Sequence, residues 1–313
     1  MSLYLVTGGA GFIGSHLVDE LLRRGRRVRV LDNFLTGKRE NLAAAAGPVE
    51  LLEGDLRDPD ACRRATEGVE VVLHQAALPS VPRSIADPGL TNDINVSGTL
   101  NILLAARDAG VRRFVFASSS SVYGDSPELP KREGHEGKPL SPYAVSKLVG
   151  EKYAQIFHLL YGLSTVCLRY FNVFGPRQDP ASQYAAVVPL FITRLLRGEA
   201  PLIFGDGEQS RDFTYVADIV SANLLAAETA RASGEVLNVA CGEGITVNRL
   251  AAVIASLLGS RVVPVHSAER PGDIKHSLAD ISKAEEALWF MPRITLREGL
   301  EKTVAWYRER TSP

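Results

Sequence analysis

The chain has 313 residues, of which 45% are hydrophobic and 23% charged, and its formal net charge is -1. This balance excludes a disordered chain and leaves no basic surface for nucleic acid or anionic membranes. Cys62, Cys167 and Cys241 are odd in number and widely spaced, so neither a disulfide framework nor a metal site is predicted. Without a charged leader or a bilayer-length apolar run, we expect a soluble, cytoplasmic protein with no membrane partner.

Near-continuous apolar runs alternate with helix-period segments along the first half of the chain. The predicted strands cover residues 3–6, 27–31, 49–52, 69–73, 113–117, 165–171 and 236–240. The predicted helices cover residues 13–24, 59–66, 92–109 and 143–161. Strands that alternate with helices of this length build a parallel sheet covered on both faces. The pattern therefore predicts an α/β protein with a Rossmann-type, doubly wound parallel sheet.

The alternation of strands and helices becomes irregular after Gly175-Pro176, where Gly and Pro residues punctuate the chain. The strand at 236–240 is predicted to return to the main sheet, so the second domain is interrupted in sequence. We predict a larger sheet domain from residues 1–171 plus about 214–241. A smaller, discontinuous C-terminal domain is predicted from residues 172–213 and 242–313.

The first predicted strand ends in a glycine-rich turn that opens a helix, with Gly8, Gly11 and Gly14 at G-x-x-G-x-x-G spacing. Glycines there let the backbone approach a pyrophosphate, whose charge then lies at a helix N-terminus. The second strand leads to Asp32, whose carboxylate is placed to accept from adenosine ribose hydroxyls and repels a 2′-phosphate. The unit therefore predicts a dinucleotide site that prefers NAD to NADP.

A serine run closes the fifth predicted strand, at the edge where a parallel sheet presents its ligand crevice. In the helix that follows, Tyr143 and Lys147 lie one turn apart on the same face. The lysine ammonium and a positive nicotinamide both stabilise a phenolate, which predicts a lowered pKa for Tyr143 and its use as a base. Ser119 is predicted to hydrogen-bond the reacting hydroxyl, and its neighbours Ser118, Ser120 and Ser121 are alternative assignments.

These motifs resemble those of the extended short-chain dehydrogenase/reductases of the NAD-dependent epimerase/dehydratase group. Further likeness lies in Asp55-Leu56 after the third strand and in His74-Gln75-Ala76-Ala77 after the fourth. The resemblance implies that the larger domain binds NAD and that Ser119, Tyr143 and Lys147 are catalytic. The implied cofactor-binding residues are Gly8, Gly11, Phe12, Ile13, Gly14, Asp32, Asn33, Phe34, Thr36, Gly37, Asp55, Leu56, Gln75, Ala76, Ala77, Ala117, Ser118, Tyr143, Lys147, Tyr170 and Val173.

Later segments, at 168–180, 205–213, 270–273 and 276–284, resemble the nucleotide-sugar site of the same family. The resemblance implies that Asn172, Arg211 and Arg270 anchor the substrate diphosphate. It also implies that a small residue at Ser277 leaves room for an N-acetyl group at the sugar 2-position. The implied substrate-binding residues are Ser80, Ser119, Ser120, Tyr143, Asn172, Gln178, Val188, Arg211, Arg270, Asp273 and Ser277.

Within the family the likeness is strongest to UDP-N-acetylglucosamine 4-epimerases of O-antigen biosynthesis. It implies an isomerase that interconverts UDP-GlcNAc and UDP-GalNAc, or UDP-glucose and UDP-galactose, through a transient 4-keto sugar. It also implies a homodimer formed through helices 92–109 and 143–161, where four apolar residues belong either to the interface or to the core: Ala105, Ala106, Val145 and Leu148.

Two other classes of function remain open at this stage. One is a nucleotide-sugar dehydratase, decarboxylase or reductase of the same family, but dehydratases carry Asp-Glu, and decarboxylases Glu, after the catalytic Ser/Thr. This chain has Ser120 and Ser121 there, which are poor acid or base groups at neutral pH. The other is a non-catalytic nucleotide-sensing Rossmann protein, which has no need of an activated phenol. His74 ends a strand without a partner at metal-binding spacing, which favours a packed histidine.

Overall fold

The computed structural model describes residues 2–43, 45, 47–180, 186–269 and 274–311. The first elements alternate strand and helix as predicted: β1 (Leu3–Thr7), α1 (Phe12–Arg23), β2 (Arg27–Asp32), α2 (Glu40–Ala43), β3 (Val49–Glu53), α3 (Pro59–Thr66) and β4 (Val71–His74). The next are α4 (Val81–Ala86), α5 (Pro88–Asn92), a π-helical turn (Asp93–Ser97), α6 (Gly98–Asp108), β5 (Arg113–Ser119), a 3₁₀ turn (Ser120–Tyr123), α7 (Pro142–Tyr161) and β6 (Thr165–Tyr170).

The C-terminal part of the chain has shorter strands and more varied connections. Its elements are β7 (Val173–Phe174), α8 (Val187–Leu196), β8 (Leu202–Phe204), β9 (Ser210–Asp212), β10 (Thr214–Tyr215), α9 (Val216–Glu228), a 3₁₀ turn (Ala230–Ala232), β11 (Val236–Val239), β12 (Gly244–Thr246), α10 (Val247–Leu258), β13 (Val265–Ser267), β14 (His276–Ser277), α11 (Ser282–Leu288) and α12 (Leu296–Thr311).

The main sheet has seven strands in the order β11-β6-β5-β4-β1-β2-β3, and all its strand pairs are parallel. The predicted doubly wound parallel sheet, including the return of the late strand to its edge, is therefore confirmed. The chain reverses direction across the sheet between β1 and β4. Ligands of open α/β sheets bind outside the carboxyl ends of the strands at such a point.

Two apolar layers cover the sheet, because its strands are buried on both faces. On one face α1, α9 and α11 pack through residues such as Leu17, Ile219 and Leu288. On the other face α3, α6 and α7 pack through residues such as Ile102 and Phe157. Part of the range predicted for the second domain thus packs on the main sheet, since α11 contacts β11 and α9.

A third apolar core belongs to the elements beyond the sheet. It joins β8, α8, α10 and α12 through residues such as Phe191, Ile254 and Val304. Phe12 and Ile13, at the start of α1, pack against this cluster as well. The first and third apolar cores therefore meet beside the glycine-rich turn, at the carboxyl edge of the sheet.

Helix α7 begins where local capping chemistry starts it. Ser141 accepts a hydrogen bond from the Ala144 N–H at 3.1 Å, and Pro142 occupies the first turn, where no N–H is needed. The helix ends at Gly162, whose left-handed conformation (φ 69°) suits glycine. These signals fix the helix start one residue before Tyr143 and hence the face that carries Tyr143 and Lys147.

The predicted helix over 92–109 is interrupted by the π-helical turn before α6. Asn95 lies in this turn, donates to the Leu78 carbonyl at 3.3 Å and accepts from the Leu78 N–H at 2.7 Å. The Thr99 hydroxyl in turn donates to the Asn95 carbonyl at 2.6 Å. These bonds hold the wide turn against the loop after β4, a contact across 17 residues that helical periodicity does not show.

Candidate active site

The glycine-rich turn between β1 and α1 has no space for a side chain at Gly8 or Gly14. A Cβ at Gly8 would lie 2.8 Å from the Ala76 Cα, and one at Gly14 would lie 2.1 Å from the Gly8 carbonyl oxygen. Gly8 also has a left-handed φ of +67°, and Gly11 caps α1 without a side-chain hydrogen bond. Backbone N–H groups at a helix start that no side chain caps fit a pyrophosphate.

The carboxylate of Asp32 lies at the end of β2, beside the glycine-rich turn. It accepts from the Ala10 N–H at 2.9 Å and from the Phe34 N–H at 2.8 Å, and the residue is only 7% exposed. Asn33 donates to the Asp55 carboxylate at 2.7 Å across the ends of β2 and β3. Asp32 is thus held in a fixed orientation, as ribose recognition requires. The same edge carries the other residues predicted for the adenosine side, Thr36, Gly37 and Leu56.

The carboxyl end of β4 is joined to β6 and α9 by a buried hydrogen-bond network. The Gln75 amide donates to the Tyr170 hydroxyl at 3.2 Å and to Asn223 Oδ1 at 3.0 Å. Asn223, which the sequence analysis missed, donates to the Tyr170 hydroxyl at 2.8 Å. Gln75 and Tyr170, both predicted to bind the cofactor, therefore lie together, and their polar groups hold the strand ends at which Ala76 and Ala77 begin the next loop.

Ser119, Tyr143 and Lys147 meet at the carboxyl edge of β5. The Ser119 hydroxyl hydrogen-bonds the Tyr143 phenol. Lys147 Nζ donates to the Ala117 carbonyl at 2.8 Å and lies 5.9 Å from the centroid of the Tyr143 ring. The three side chains thus form one cluster with the composition that the sequence predicted.

Burial governs the acid–base behaviour of this cluster. It raises the pKa of Tyr143, which the hydrogen bond from Ser119 partly opposes. It lowers the pKa of Lys147 to about 8, an effect that the nearby Glu151 carboxylate opposes. Without cofactor, desolvation of the phenolate dominates. The lowered pKa expected for Tyr143 included the charge of a bound nicotinamide, so it stays a prediction. Added positive charge is required to make this phenol a base.

A buried ionic cluster that the sequence analysis missed lies behind the catalytic residues. Glu151 is fully buried and accepts from the Ser118 hydroxyl at 2.5 Å. It also accepts from Nε and Nη2 of Arg169, at 2.8 and 2.7 Å. The Ser118 hydroxyl is therefore engaged by Glu151, and its predicted cofactor contact stays a prediction. The four-residue spacing from Lys147 to Glu151 was the available sequence signal.

The loop after β4 is fixed against α7 on the substrate side of the crevice. Ser80 begins α4 as its N-cap residue. Ser84 accepts from the Tyr143 N–H at 3.0 Å, a positioning contact that the sequence did not indicate. The Asn95 side chain holds both backbone groups of Leu78. Ser80 and Tyr143 therefore belong to one rigid unit.

Three further predicted substrate residues follow β6. Asn172 adopts a left-handed φ of 30° and donates to the Asp212 carbonyl at 3.3 Å. Gln178 donates to the Val173 carbonyl at 3.1 Å. Val188 is 1% exposed, and its side chain packs inside the third apolar core.

Two buried oxygen atoms in this region have no hydrogen-bond partner among the described residues. One is the hydroxyl oxygen of Ser121, next to Ser120 in the 3₁₀ turn. The other is Oε1 of Gln178. Buried polar atoms are nearly always paired, so both are exceptions among the described residues.

Arg211 and Ser277 face each other on paired parallel strands, β9 and β14. The Arg211 guanidinium donates to the Lys275 carbonyl at 3.3 Å. The predicted diphosphate anchor and the predicted sugar gate are therefore in direct register. Arg270 and Asp273 lie outside the described residues.

His74 is a packed residue, as predicted. Its ring nitrogens lie 2.7 Å from the Thr7 hydroxyl and 3.0 Å from the Thr99 hydroxyl. Burial, with a smaller contribution from Lys147, lowers the pKa of His74 to about 3, so the ring is neutral. Across the described residues, no cluster of His, Cys, Asp and Glu has the composition of a metal site. None of the described helices is long and apolar enough to cross a membrane.

Comparison with known proteins gives one consistent family. The model of the NAD dependent epimerase/dehydratase family matches residues 4–240. The UDP-glucose 4-epimerase of Mycolicibacterium smegmatis is 40% identical over 311 residues, which cover 98% of this chain and 99% of that protein.

Solved structures agree with this assignment over nearly the whole chain. The UDP-N-acetylglucosamine 4-epimerase of Methanobrevibacter ruminantium, in complex with UDP-N-acetylmuramic acid, is 44% identical with a TM-score of 0.95, and the match covers 99% of both chains. The UDP-glucose 4-epimerase of Thermus thermophilus, in complex with NAD, is 39% identical with a TM-score of 0.88, and the match covers 98% of this chain and 99% of that chain. This chain belongs to the NAD-dependent epimerase/dehydratase family, as its motifs predicted.

Proposed function

We propose that this protein is an NAD-dependent UDP-sugar 4-epimerase. It would interconvert UDP-GlcNAc and UDP-GalNAc, UDP-glucose and UDP-galactose, or both pairs, through a transient 4-keto sugar. The observation that carries the proposal is the meeting of Ser119, Tyr143 and Lys147 beside a cradle that fits a dinucleotide. Ser120 and Ser121 stand where an eliminating or decarboxylating relative needs a carboxyl group.

The chain's own residues handle the proton in this reaction. The glycine-rich turn and Asp32 would hold NAD, which would supply the hydride acceptor and donor for C4 of the sugar. Tyr143 takes the O4 proton and later gives it back, while Ser119 hydrogen-bonds the same oxygen. Because burial raises the Tyr143 pKa, the ammonium of Lys147 is needed to stabilise the phenolate.

The second unit would hold the nucleotide diphosphate while the sugar turns over. Asn172 and Arg211 are the described candidates for this anchor, and Arg211 carries a charge suited to phosphate. Because Ser277 is paired in register with Arg211, the space beside the sugar is fixed relative to the anchor. The small Ser277 side chain supports acceptance of N-acetylated sugars.

We also propose a homodimer and the two-domain division given above, except that α11 packs with the main sheet. Helix α7 exposes several apolar side chains on its outer face, which supports an interface there. They include Val145, Ile156, Leu159 and Leu160, at 47%, 45%, 74% and 64% exposure. Ala105 and Ala106 instead pack in the core beneath the sheet. Sedimentation velocity tests the homodimer, and a monomer at micromolar concentration contradicts it.

The test of the proposed activity uses UDP-GlcNAc and purified protein without added NAD, followed by proton NMR of the anomeric signals. UDP-GalNAc is the expected product. No NAD has to be added, because the reaction regenerates NAD in each turnover. Turnover of UDP-glucose alone would keep 4-epimerisation and contradict the argument from Ser277. Loss of water, loss of CO2 or consumption of added NADH would point to another member of the family. No change in either sugar, from protein shown to hold NAD, contradicts the proposal.

A further inference from the structure

Three residues of α7 lie on one face at successive turns: Tyr143, Lys147 and Glu151. Lys147 and Glu151 are 5% and 0% exposed. Two of the three have been assigned to the reaction. Glu151 is a fully buried carboxylate that the proposed mechanism does not use.

The contacts of Glu151 join the elements that carry the catalytic residues. Its carboxylate accepts from Ser118 at the end of β5, directly before Ser119. The same carboxylate takes a two-armed hydrogen bond from Arg169 on β6. A change at Glu151 therefore reaches both the strand end that presents Ser119 and the helix that presents Tyr143.

Arg169 is shared between two carboxylates, the buried Glu151 and the partly exposed Glu136. Arg169 pairs with Glu151 on one side, and its Nη1 lies 2.5 Å from the Glu136 carboxylate on the other. The Tyr123 ring covers the guanidinium, 4.8 Å from its carbon to the ring centroid. One guanidinium thus serves two carboxylates, so Arg169 does not neutralise Glu151 completely.

Lys147 faces little other negative charge. The described neighbours of Lys147 are the Ala117 carbonyl and the Phe116 ring on β5, neutral His74 on β4, and Tyr143 and Glu151 on its own helix. Glu151 is the carboxylate that acts on Lys147, and it raises the lysine pKa against the effect of burial.

We propose that Glu151 is a positioning residue that keeps the ammonium of Lys147 charged and holds the end of β5 against α7. The charge role follows from the i, i+4 placement of a buried carboxylate behind a buried lysine. The positioning role follows from the short bond to Ser118. The inference rests on the proposed function only in treating Tyr143 and Lys147 as the groups that act on substrate.

A Glu151→Gln variant tests the charge role directly. The amide keeps the shape and one acceptor for Ser118 but removes the negative charge. We expect Lys147 to lose its proton about one pH unit lower than in the wild type, since an adjacent opposite charge shifts a pKa by about that much or more. The measurement is NMR titration of ¹³Cε-labelled lysine in NAD-loaded protein, with the Lys147 signal assigned from a Lys147→Arg variant.

Glu136→Gln is the matched control. It makes the same chemical change on the opposite side of Arg169, away from α7, and should leave the Lys147 titration unchanged. In parallel, the alkaline limb of kcat against pH should move down with Glu151→Gln and stay in place with Glu136→Gln. An unmoved Lys147 signal in Glu151→Gln overturns the proposal, and so does an equal shift in both variants, which would reflect a general structural effect.

Two further comparisons distinguish the inference from a folding defect and from a failure of the proposed activity. If Glu151→Gln does not fold, the double variant Glu151→Gln/Arg169→Gln replaces the buried ion pair with an amide pair, which buried sites often tolerate better. It should shift the Lys147 titration in the same direction but by less, because loss of the Arg169 charge acts in the opposite sense, and a titration shifted upward overturns the inference. A shifted titration in a protein whose wild type converts no UDP-sugar supports the inference and contradicts the proposed function.

Discussion

At the scale of single residues, the phenol of Tyr143 is subject to opposing influences. Burial raises its pKa, and the hydrogen bond with Ser119 lowers it. The Lys147 nitrogen lies 5.9 Å from the ring centroid, where its charge attracts a phenolate. The protein alone therefore holds a protonated phenol, and the cationic nicotinamide of a bound cofactor supplies the additional charge that a base at neutral pH requires.

Replacing Tyr143 with Phe should remove activity while leaving the fold intact. The ring keeps its packing, but no group remains to take the O4 proton, so kcat should fall about 10²- to 10⁴-fold. UDP-sugar conversion at fixed NAD content measures this loss. Tyr153→Phe on the same helix is the matched control and should keep near wild-type kcat. A Tyr143→Phe variant within a few-fold of wild type would exclude this residue as the base.

His74 predicts a dependence of stability on pH that does not involve catalysis. Its ordinary pKa of 6.5 falls to about 3 in the folded protein, so the unfolded chain binds more protons between these values. Stability from this residue is therefore complete above about pH 6.5 and is lost as the pH falls toward 3, by about 1 kcal/mol per pH unit.

Urea unfolding between pH 7.5 and 4.5 measures this effect. The His74→Gln variant keeps hydrogen-bonding groups for Thr7 and Thr99 but cannot take up the proton. Its free energy of unfolding should vary less with pH than that of the wild type. Equal slopes in wild type and His74→Gln would contradict the prediction.

At the scale of elements, the docking of α7 on β5 decides where Lys147 lies. Gly150 faces the sheet at the closest approach, where an added Cβ would lie 2.4 Å from the Phe116 ring. The same ring lies 5.1 Å from the Lys147 nitrogen. The absence of a side chain at Gly150 thus lets the helix approach near enough for Lys147 to reach the Ala117 carbonyl.

Gly150→Ala should destabilise the protein although alanine is the better helix former. The gain in helix propensity is about 1 kcal/mol, whereas overpacking against Phe116 costs about 1 to 3 kcal/mol and moves α7 outward. We expect a lower melting temperature and a reduced kcat. Gly89→Ala in α5 is the control, because its Cβ would make only an ordinary contact at 3.6 Å. A Gly150→Ala protein as stable and active as wild type would contradict this account of the docking.

Much of helix α7 was predictable from sequence, because the residues that determine its start and its catalytic face are local. Ser141 and Pro142 mark the start of α7, and the i, i+4 spacing places Tyr143 with Lys147. The π-helical turn was not predictable, because it depends on Asn95 bonding Leu78 in another loop. The same holds for the role of Glu151, whose partner Arg169 lies on a different strand and reads in sequence as one more residue of a buried run.

At the scale of the whole molecule, the loop after β7 contacts the first helix, α1. Arg177 pairs with Asp19 on α1 at 2.6 Å, and the His16 ring lies 3.0 Å from the Pro176 carbonyl. The start of this helix forms the proposed pyrophosphate cradle. The loop therefore contacts the helix whose start forms the proposed cofactor site, and sequence motifs alone did not indicate this contact.

Breaking this contact should loosen the retained cofactor. The Asp19→Arg variant places two like charges together, and we expect NAD to dissociate severalfold faster, measured by its release from gel-filtered protein over time. The double variant Asp19→Arg/Arg177→Asp restores an opposite pair in reversed order and should recover most of the retention. The exposed pair of Lys38 and Asp179, 3.5 Å apart, provides a control, because Lys38→Ala removes a solvent-screened interaction of small energy. If Asp19→Arg releases NAD at the wild-type rate, the loop does not hold the cofactor. If the double variant releases NAD as fast as Asp19→Arg, the effect arises from the substitutions themselves and not from the ion pair between the two units.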